Sequence, residues 1–298
     1  SLIYKLIGEL QNMRAGNNDW MQAREFQAET YGYDKYLGGC HMIPNHAIII
    51  LSLLFGDDDL QKTLMIVNTA GHDTDCNSGN VGCIMGIKNG LEGLRNGPDY
   101  LTPIQDRMYC PTANGGETQT DALTEAYKVI NTAKKMNKEE TVEPKNGSRF
   151  HFEMPGSVQG WRSSFKNNKN ISTIVQNTEY ESSIGKRALE IKFDRVAPGV
   201  CSEAIVDTFF PQELYELTGS ARERFFQSYN FISCPLLYSG QNIESEIIFK
   251  SNSQKPITVT CFINVFGEED NYERINSESV VLFPDKSQKL KWKIPSTE

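Results

Sequence analysis

Apolar residues recur at helical spacing through the first part of the chain and switch to alternation later. Leu2, Ile3, Leu6, Ile7 and Leu10 share one face, which predicts an amphipathic helix over Leu2 to Arg14. Asn18 and Asp19 are suited to cap a second helix from Trp20 towards Thr30. Pro44 and Asn45 head an almost wholly apolar helix from Ala47 to Phe55, which Gly56 stops. Asp57 to Asp59 supplies an acidic first turn for Leu60 to Thr69, where negative charge meets the positive end of the helix dipole; capping explains this run better than metal binding. A last helix is expected from about Thr118 to Lys135, burying Ala122, Leu123, Ala126, Val129 and Ile130.

The polar segment 138–147, with Pro144 and Gly147, reads as a hinge between a helical domain, 1–137, and a β domain, 148–298. Beyond it Leu189, Ile191 and Phe193 alternate with charged residues, and Leu290, Trp292 and Ile294 alternate with lysines, so both segments are half-buried strands. Ile257 to Phe266 is apolar on most of both faces and predicts one continuous interior strand. Further strands are expected near Phe150, Thr173, Ala204, Ile247 and Val280. The fold class that follows is multidomain, α plus β: an all-α domain followed by an antiparallel β-sandwich, jelly-roll-like.

The chain's 298 residues suffice for two domains, each with its own core. A net charge of -8, without a basic run, argues against nucleic acid as the main partner, although an acidic chain can still bind phosphates through a metal ion. The longest apolar stretch, Ala47 to Phe55, falls far short of the ~20 residues that span a bilayer, so no membrane-crossing segment is expected. Seven cysteines without a CxxC pair signal neither a disulfide framework nor a structural zinc site, and lean towards a reducing, cytoplasmic compartment. The sequons at Asn146 and Asn170 lean the other way. Because the chain opens at Ser1 already in helical rhythm, a fragment or processed product of something longer is expected.

The chemistry concentrates between Gly71 and Gly90. Asp73 and Asp75 stand at i and i+2 in a turn entering a helix, where both carboxylates can converge on one cation; hard oxygens of this kind suit Mg²⁺, Mn²⁺ or Ca²⁺. Gly79, Gly82, Gly86 and Gly90 follow on one helical face. Interior glycines cost roughly 1 kcal/mol each against alanine, so a neighbouring backbone is expected to approach that face and hold the carboxylate turn rigid. By physics alone an Asp-x-Asp entering a helix is more often a cap than a ligand pair.

The run Gly71-His72-Asp73-Thr74-Asp75-Cys76-Asn77 resembles the second metal motif of the ADP-ribosylglycohydrolases, usually Gly-Gly-Asp-Thr-Asp-Thr-Asn. Gly38-Gly39-Cys40-His41-Met42-Ile43-Pro44-Asn45, an apolar helix, an acidic turn and a second helix follow the order of elements in that family's C-terminal half. The likeness runs from about Asp19 to Gly90, and more loosely to about residue 135. It implies half of an all-helical catalytic domain that binds two Mg²⁺ ions, with Mn²⁺ as an alternative, and hydrolyses the bond between ribose and a modified side chain or small leaving group. It makes Asp73 and Asp75 metal ligands and puts Cys76 where the family usually has a coordinating Thr or Ser; a thiol is a poor Mg²⁺ ligand. His72 stands where a second glycine is common. His41, Asn45 and His72 are candidate substrate-binding residues, the first two also readable as helix-cap residues. The family's first motif, a Thr/Ser-Asp-Asp triplet, does not stand ahead of Asp19, so this chain alone is expected to bind metal weakly and turn over little substrate.

Trp161, Trp292, Phe209-Phe210-Pro211 and Tyr238 in the second domain are core residues or sugar-stacking residues; Trp292, opposite a face of lysines, is expected to be buried. The architecture is similar to the galactose-binding-like sandwiches appended to some members of the same hydrolase family, which implies a possible glycan ligand. Two function classes follow: an ADP-ribose-releasing or other ribosyl hydrolase, and a non-catalytic binding or structural protein that keeps the fold.

Overall fold

The computed structural model describes residues 1–110, 114–164, 173–194, 197, 199–211, 214, 216–228, 234–266 and 272–296; the sequon at Asn170 lies outside them. The chain divides into two compact units, Ser1–Ile104 and Gln105–Glu298. That division precedes the hinge expected at 138–147.

The first unit is five helices: α1 (Leu2–Ala15), α2 (Trp20–Tyr31), α3 (Met42–Phe55), α4 (Leu60–Thr69) and α5 (Thr74–Arg95). Their starts follow the caps in the sequence. Asp19 and Gln22 form a complete capping box at α2, and Asp59 accepts from Lys62 N at α4. The acidic run is spent on this local work, since Asp57 pairs with Arg14 and Lys62 and Asp58 with Lys88. α3 starts a turn earlier than its apolar run suggests, with His41 as N-cap, its Nδ1 accepting from Ile43 N at 3.2 Å.

An apolar helix must be covered on most of its circumference, and α3 is the centre of the unit. On one side Ala47, Leu51 and Phe55 pack with Leu6 and Leu10 of α1, Ala23 and Tyr31 of α2 and Ile66 of α4. On the other, Ile48 packs with Leu60, Val67 and Ala70 and with Val81 and Met85 of α5. Gly56 permits the tight α3–α4 corner: a β-carbon there would lie 2.8 Å from the Ser52 carbonyl oxygen and closer still to Thr63.

The glycine face of α5 does not do what its spacing predicts. A β-carbon at Gly79, Gly86 or Gly90 would meet nothing within 4 Å, and at Gly82 only Leu64 Cδ2 at 3.8 Å. The face α5 buries carries Asn77, Val81 and Met85 instead, and helical geometry breaks at Gly90 (φ 63°, ψ -162°).

In the second unit β1 (Arg107–Tyr109) pairs antiparallel with β2 (Gln119–Asp121), which leads into α6 (Ala122–Met136). Of the stripe expected on α6, only Leu123 is buried; Ala122 and Ala126 are exposed, as are Val129 and Ile130. The helix is anchored at its start rather than along a side: Asp121, fully buried, caps it through Thr124 N at 2.8 Å and pairs with Arg149 at 2.7 Å.

The remaining strands are β3 (Arg162–Ser163), β4 (Thr173–Glu179), β5 (Arg187–Phe193), β6 (Ala204–Ile205), β7 (Asn242–Ile248), β8 (Ile257–Val259), β9 (Phe262–Phe266), β10 (Tyr272–Asn276), β11 (Val280–Leu282) and β12 (Ser287–Lys293). Among the described residues they form two-stranded antiparallel pairs, β3 with β6, β4 with β5, β7 with β12, β8 with β11 and β9 with β10. The unit therefore shows antiparallel strands mixed with helix, including α7 (Gly219–Ser228), which the period of its apolar residues did not announce. No strand forms at Phe150.

The expected single strand 257–266 is interrupted at Thr260 and Cys261. Val259 opposes Val280 while Phe262 opposes Asn276, so two residues on one side face three on the other, a β-bulge in one long hairpin. Cys261 N donates to Ser277 Oγ and Ser277 N to the Cys261 carbonyl, which fixes the kink. Leu290 and Ile294 are buried and lysines 289, 291 and 293 exposed, as their alternation predicts; Trp292 is only half-buried.

Candidate metal centre

The α4–α5 connection enters α5 through three residues with positive φ: Gly71 (77°), His72 (59°) and Asp73 (56°). The left-handed region costs a non-glycine residue roughly 1–2 kcal/mol, so the turn persists only where its surroundings over-determine it. They do so here. Arg24 donates to the Ala70 carbonyl, and the Asn77 amide, buried on α5, donates to the His72 carbonyl at 2.6 Å. Gln27 meets His72 Nδ1 at 3.4 Å, and Tyr33 lies against the His72 ring with centroids 4.4 Å apart.

The turn frees Asp73 from capping. Asp73 is the N-cap residue of α5 by position, yet its carboxylate makes no bond to the helix's own amides. It is held instead by Asn45 of α3, whose Nδ2 donates to Asp73 Oδ2 at 2.7 Å, while Asn45 Oδ1 accepts from the Tyr33 hydroxyl. A chain from Tyr33 through Asn45 thus aims Asp73 outward. One ligand atom each of Asp73, Asp75 and Cys76 lies within 4.8 Å of the other two, the one group of this kind among the described residues. Asp73 is half-buried; Asp75 and Cys76 are exposed.

The electrostatics follow from crowding acceptors together. A hydrogen bond to Asp73, then its charge, pushes the Cys76 thiol up from its ordinary value, and the charge of Asp73, followed by desolvation, does the same to Cys40. Desolvation, followed by the charge of Asp73, raises Tyr33. Burial, then the Arg24 guanidinium, lowers His72, so its imidazole is neutral at pH 7. The cluster accumulates negative potential that a cation would relieve.

Of the residues singled out from sequence, Asp73, Asp75 and Cys76 come together, with Asn45 directly behind Asp73. His72 is half-buried between Gln27 and Tyr33, and His41 caps α3 with its ring 5.4 Å from Tyr36. The structure adds Tyr33 and Cys40. Tyr33 carried no sequence signal, and Cys40 stood in the Gly38–Asn45 run without a role; each reaches the site through a loop that precedes α3.

In the second unit, Trp161 stands edge-on to Phe150 at 5.6 Å and Phe209 contacts Phe210 at 4.7 Å, whereas Tyr238 is exposed. Among the described residues no helix is long and apolar enough to cross a membrane.

No family model, no curated protein and no solved structure matches the chain.

Proposed function

We propose that the helical unit carries a divalent-metal centre for hydrolysis of a ribosyl glycosidic bond, as the resemblance of its Gly71–Asn77 run to the ADP-ribosylglycohydrolases implies. The observation that supports this reading is the Asp73 carboxylate. It is held from behind by Asn45, makes no capping bond to its own helix, and lies together with Asp75 and Cys76. A ligand oriented by a hydrogen-bonded amide is the usual construction of a metal site.

The donor set fits one ion. Asp73 and Asp75 offer hard oxygens to Mg²⁺ or Mn²⁺, with water filling the rest of about six positions. A second ion finds no comparable group among residues 1–104. Bound here, the ion supplies Lewis acidity towards substrate oxygens and an oriented water. This chain's part is to hold the ion through Asp73 and Asp75 and to keep Asp73 fixed through Asn45 and Tyr33. Neutral His72 and the Tyr33 ring form one wall beside the carboxylates.

Calorimetric titration of Mg²⁺ and ADP-ribose into the protein and into an Asp73→Ala, Asp75→Ala variant tests the site. Binding by the parent and none by the variant is expected; equal binding by both removes the reading. A second reading, a non-catalytic binding protein, is favoured by the single-ion donor set and the thiol at 76. Metal-dependent ligand binding without turnover of ribosylated substrates distinguishes it. For the second unit, its antiparallel pairs and the exposed Tyr238 support a jelly-roll-like sandwich with a glycan-binding surface, testable by glycan-array binding of the parent against Tyr238→Ala.

A further inference from the structure

The second unit holds a small polar cavity, about 30 Å³, where β1 and β2 meet residues 159–160 and Asp207. Gln119 lines it and is only 8 % exposed, yet its Nε2 donor has no hydrogen-bond partner among the described residues. Leaving a buried donor unpaired is costly, and such groups in folded proteins are accounted for by an ordered water or a bound ion. We infer that this cavity binds one monovalent anion of chloride size, held by Gln119 Nε2 and the guanidinium groups of Arg107 and Arg149. The inference goes beyond the metal-centre reading and does not depend on it.

Charge and hydrogen-bonding capacity both favour an anion over a water. Of the charged residues lining the cavity, Arg107 and Arg149 stand against Asp207 alone, two positive charges to one negative. Their ion-pair partners leave that excess unchanged, because Arg162, on Asp207, is balanced by Asp121, on Arg149. The side-chain acceptors are already engaged. Asp207 takes both bonds of Arg162, at 2.8 and 2.9 Å, and Gln159 Oε1 takes His151 N and Phe152 N. A water would meet donors and find little to receive its own protons, whereas a halide only accepts. About 10–15 Å³ of such space admits a water, so about 30 Å³ admits the larger chloride. The Arg107 and Arg149 side chains are 37 % and 41 % exposed, which gives the ion a path from solvent.

The test is thermal unfolding of the full chain in sodium chloride and in sodium gluconate at equal ionic strength, with the chlorine NMR line width as the binding readout. Chloride at about ten times its Kd is expected to raise the unfolding midpoint by about 2–4 °C over gluconate, against the general tendency of strongly hydrated anions to stabilise. Bromide should substitute for chloride and narrow the chlorine line. Gln119→Leu, which removes the donor at similar volume, should lose both the rise and the broadening, with its own midpoint in gluconate as the reference. Gln119→Glu, which puts a negative charge in the donor's place, should lose them as well. Equal midpoints in the two salts with an unbroadened chlorine line overturn the inference, and so does a chloride response that either variant keeps in full.

Discussion

The two units use buried polar groups for opposite ends. In the helical unit the core is apolar, built on α3, and the hydrogen bonds of Arg24, Gln27, Asn45 and Asn77 converge on one turn, 70–73. In the second unit polar groups hold the fold itself. Asp121, Gln159 and Arg162 are buried; Gln159 Oε1 accepts from His151 N and Phe152 N, Asp106 accepts from Ser157 Oγ and Val158 N, and Arg162 grips Asp207 through two bonds of 2.8 and 2.9 Å. A polar group removed from the first should therefore change a site, and one removed from the second should change stability.

The largest effect is expected from the apolar core. Phe55→Ala leaves a cavity between α1 and α3 and should cost about 3–5 kcal/mol in urea unfolding followed by circular dichroism. Asp121→Ala should cost about 2–3 kcal/mol, because it strips the cap of α6 and removes the buried carboxylate that accepts from Arg149 and Gln159. A cost below about 0.5 kcal/mol would mean that the polar network is not what holds the second unit.

Asn45→Ala tests the other half of the contrast. It should lower metal affinity by about 10–100-fold while the unfolding midpoint barely moves. A large loss of stability with unchanged affinity would reverse the assignment. Gly79→Ala and Gly86→Ala should each stabilise the helical unit by about 1 kcal/mol, since alanine meets nothing there and relieves the entropy that glycine costs a helix.

The smallest expected effect is a slope. Desolvation lowers the pKa of His151, with Asp121 and Glu153 opposing and Lys145 and Arg149 assisting. Above its ordinary value of 6.5 the imidazole is neutral in both states and contributes nothing; as pH falls below 6.5 the unfolded chain takes up the proton first, so stability declines. His151→Gln should flatten that decline in the unfolding midpoint between pH 7 and pH 5, about the range where histidine titrates.

Local signals carried the helical unit. The 3.6-residue period, the caps at Asp19 and Asp59 and the stop at Gly56 are written into short stretches, and the helices lie where these place them. The site was half legible. Asp73 and Asp75 could be found because their spacing is local, but whether Asp73 caps or points outward turns on the φ values of residues 71–73 and on Asn45, 28 positions away. The second unit was less legible, because its strands acquire their meaning from partners. The bulge opposite Thr260 and Cys261 is fixed by Ser277, which bonds across the hairpin, and α6 faces solvent along a stripe that its sequence marked for burial.

By itself the sequence determined what each short segment prefers: the helices of the first unit, the alternation of β5 and β12, and the pairing of two carboxylates with a thiol within four residues. Tertiary structure alone decided where the units divide, which face of α5 is buried, and that Asp73 answers to α3 rather than to its own helix. The physical reason is range. Periodicity and capping act within a turn or two, whereas burial and the direction of a carboxylate depend on whatever the rest of the chain brings alongside.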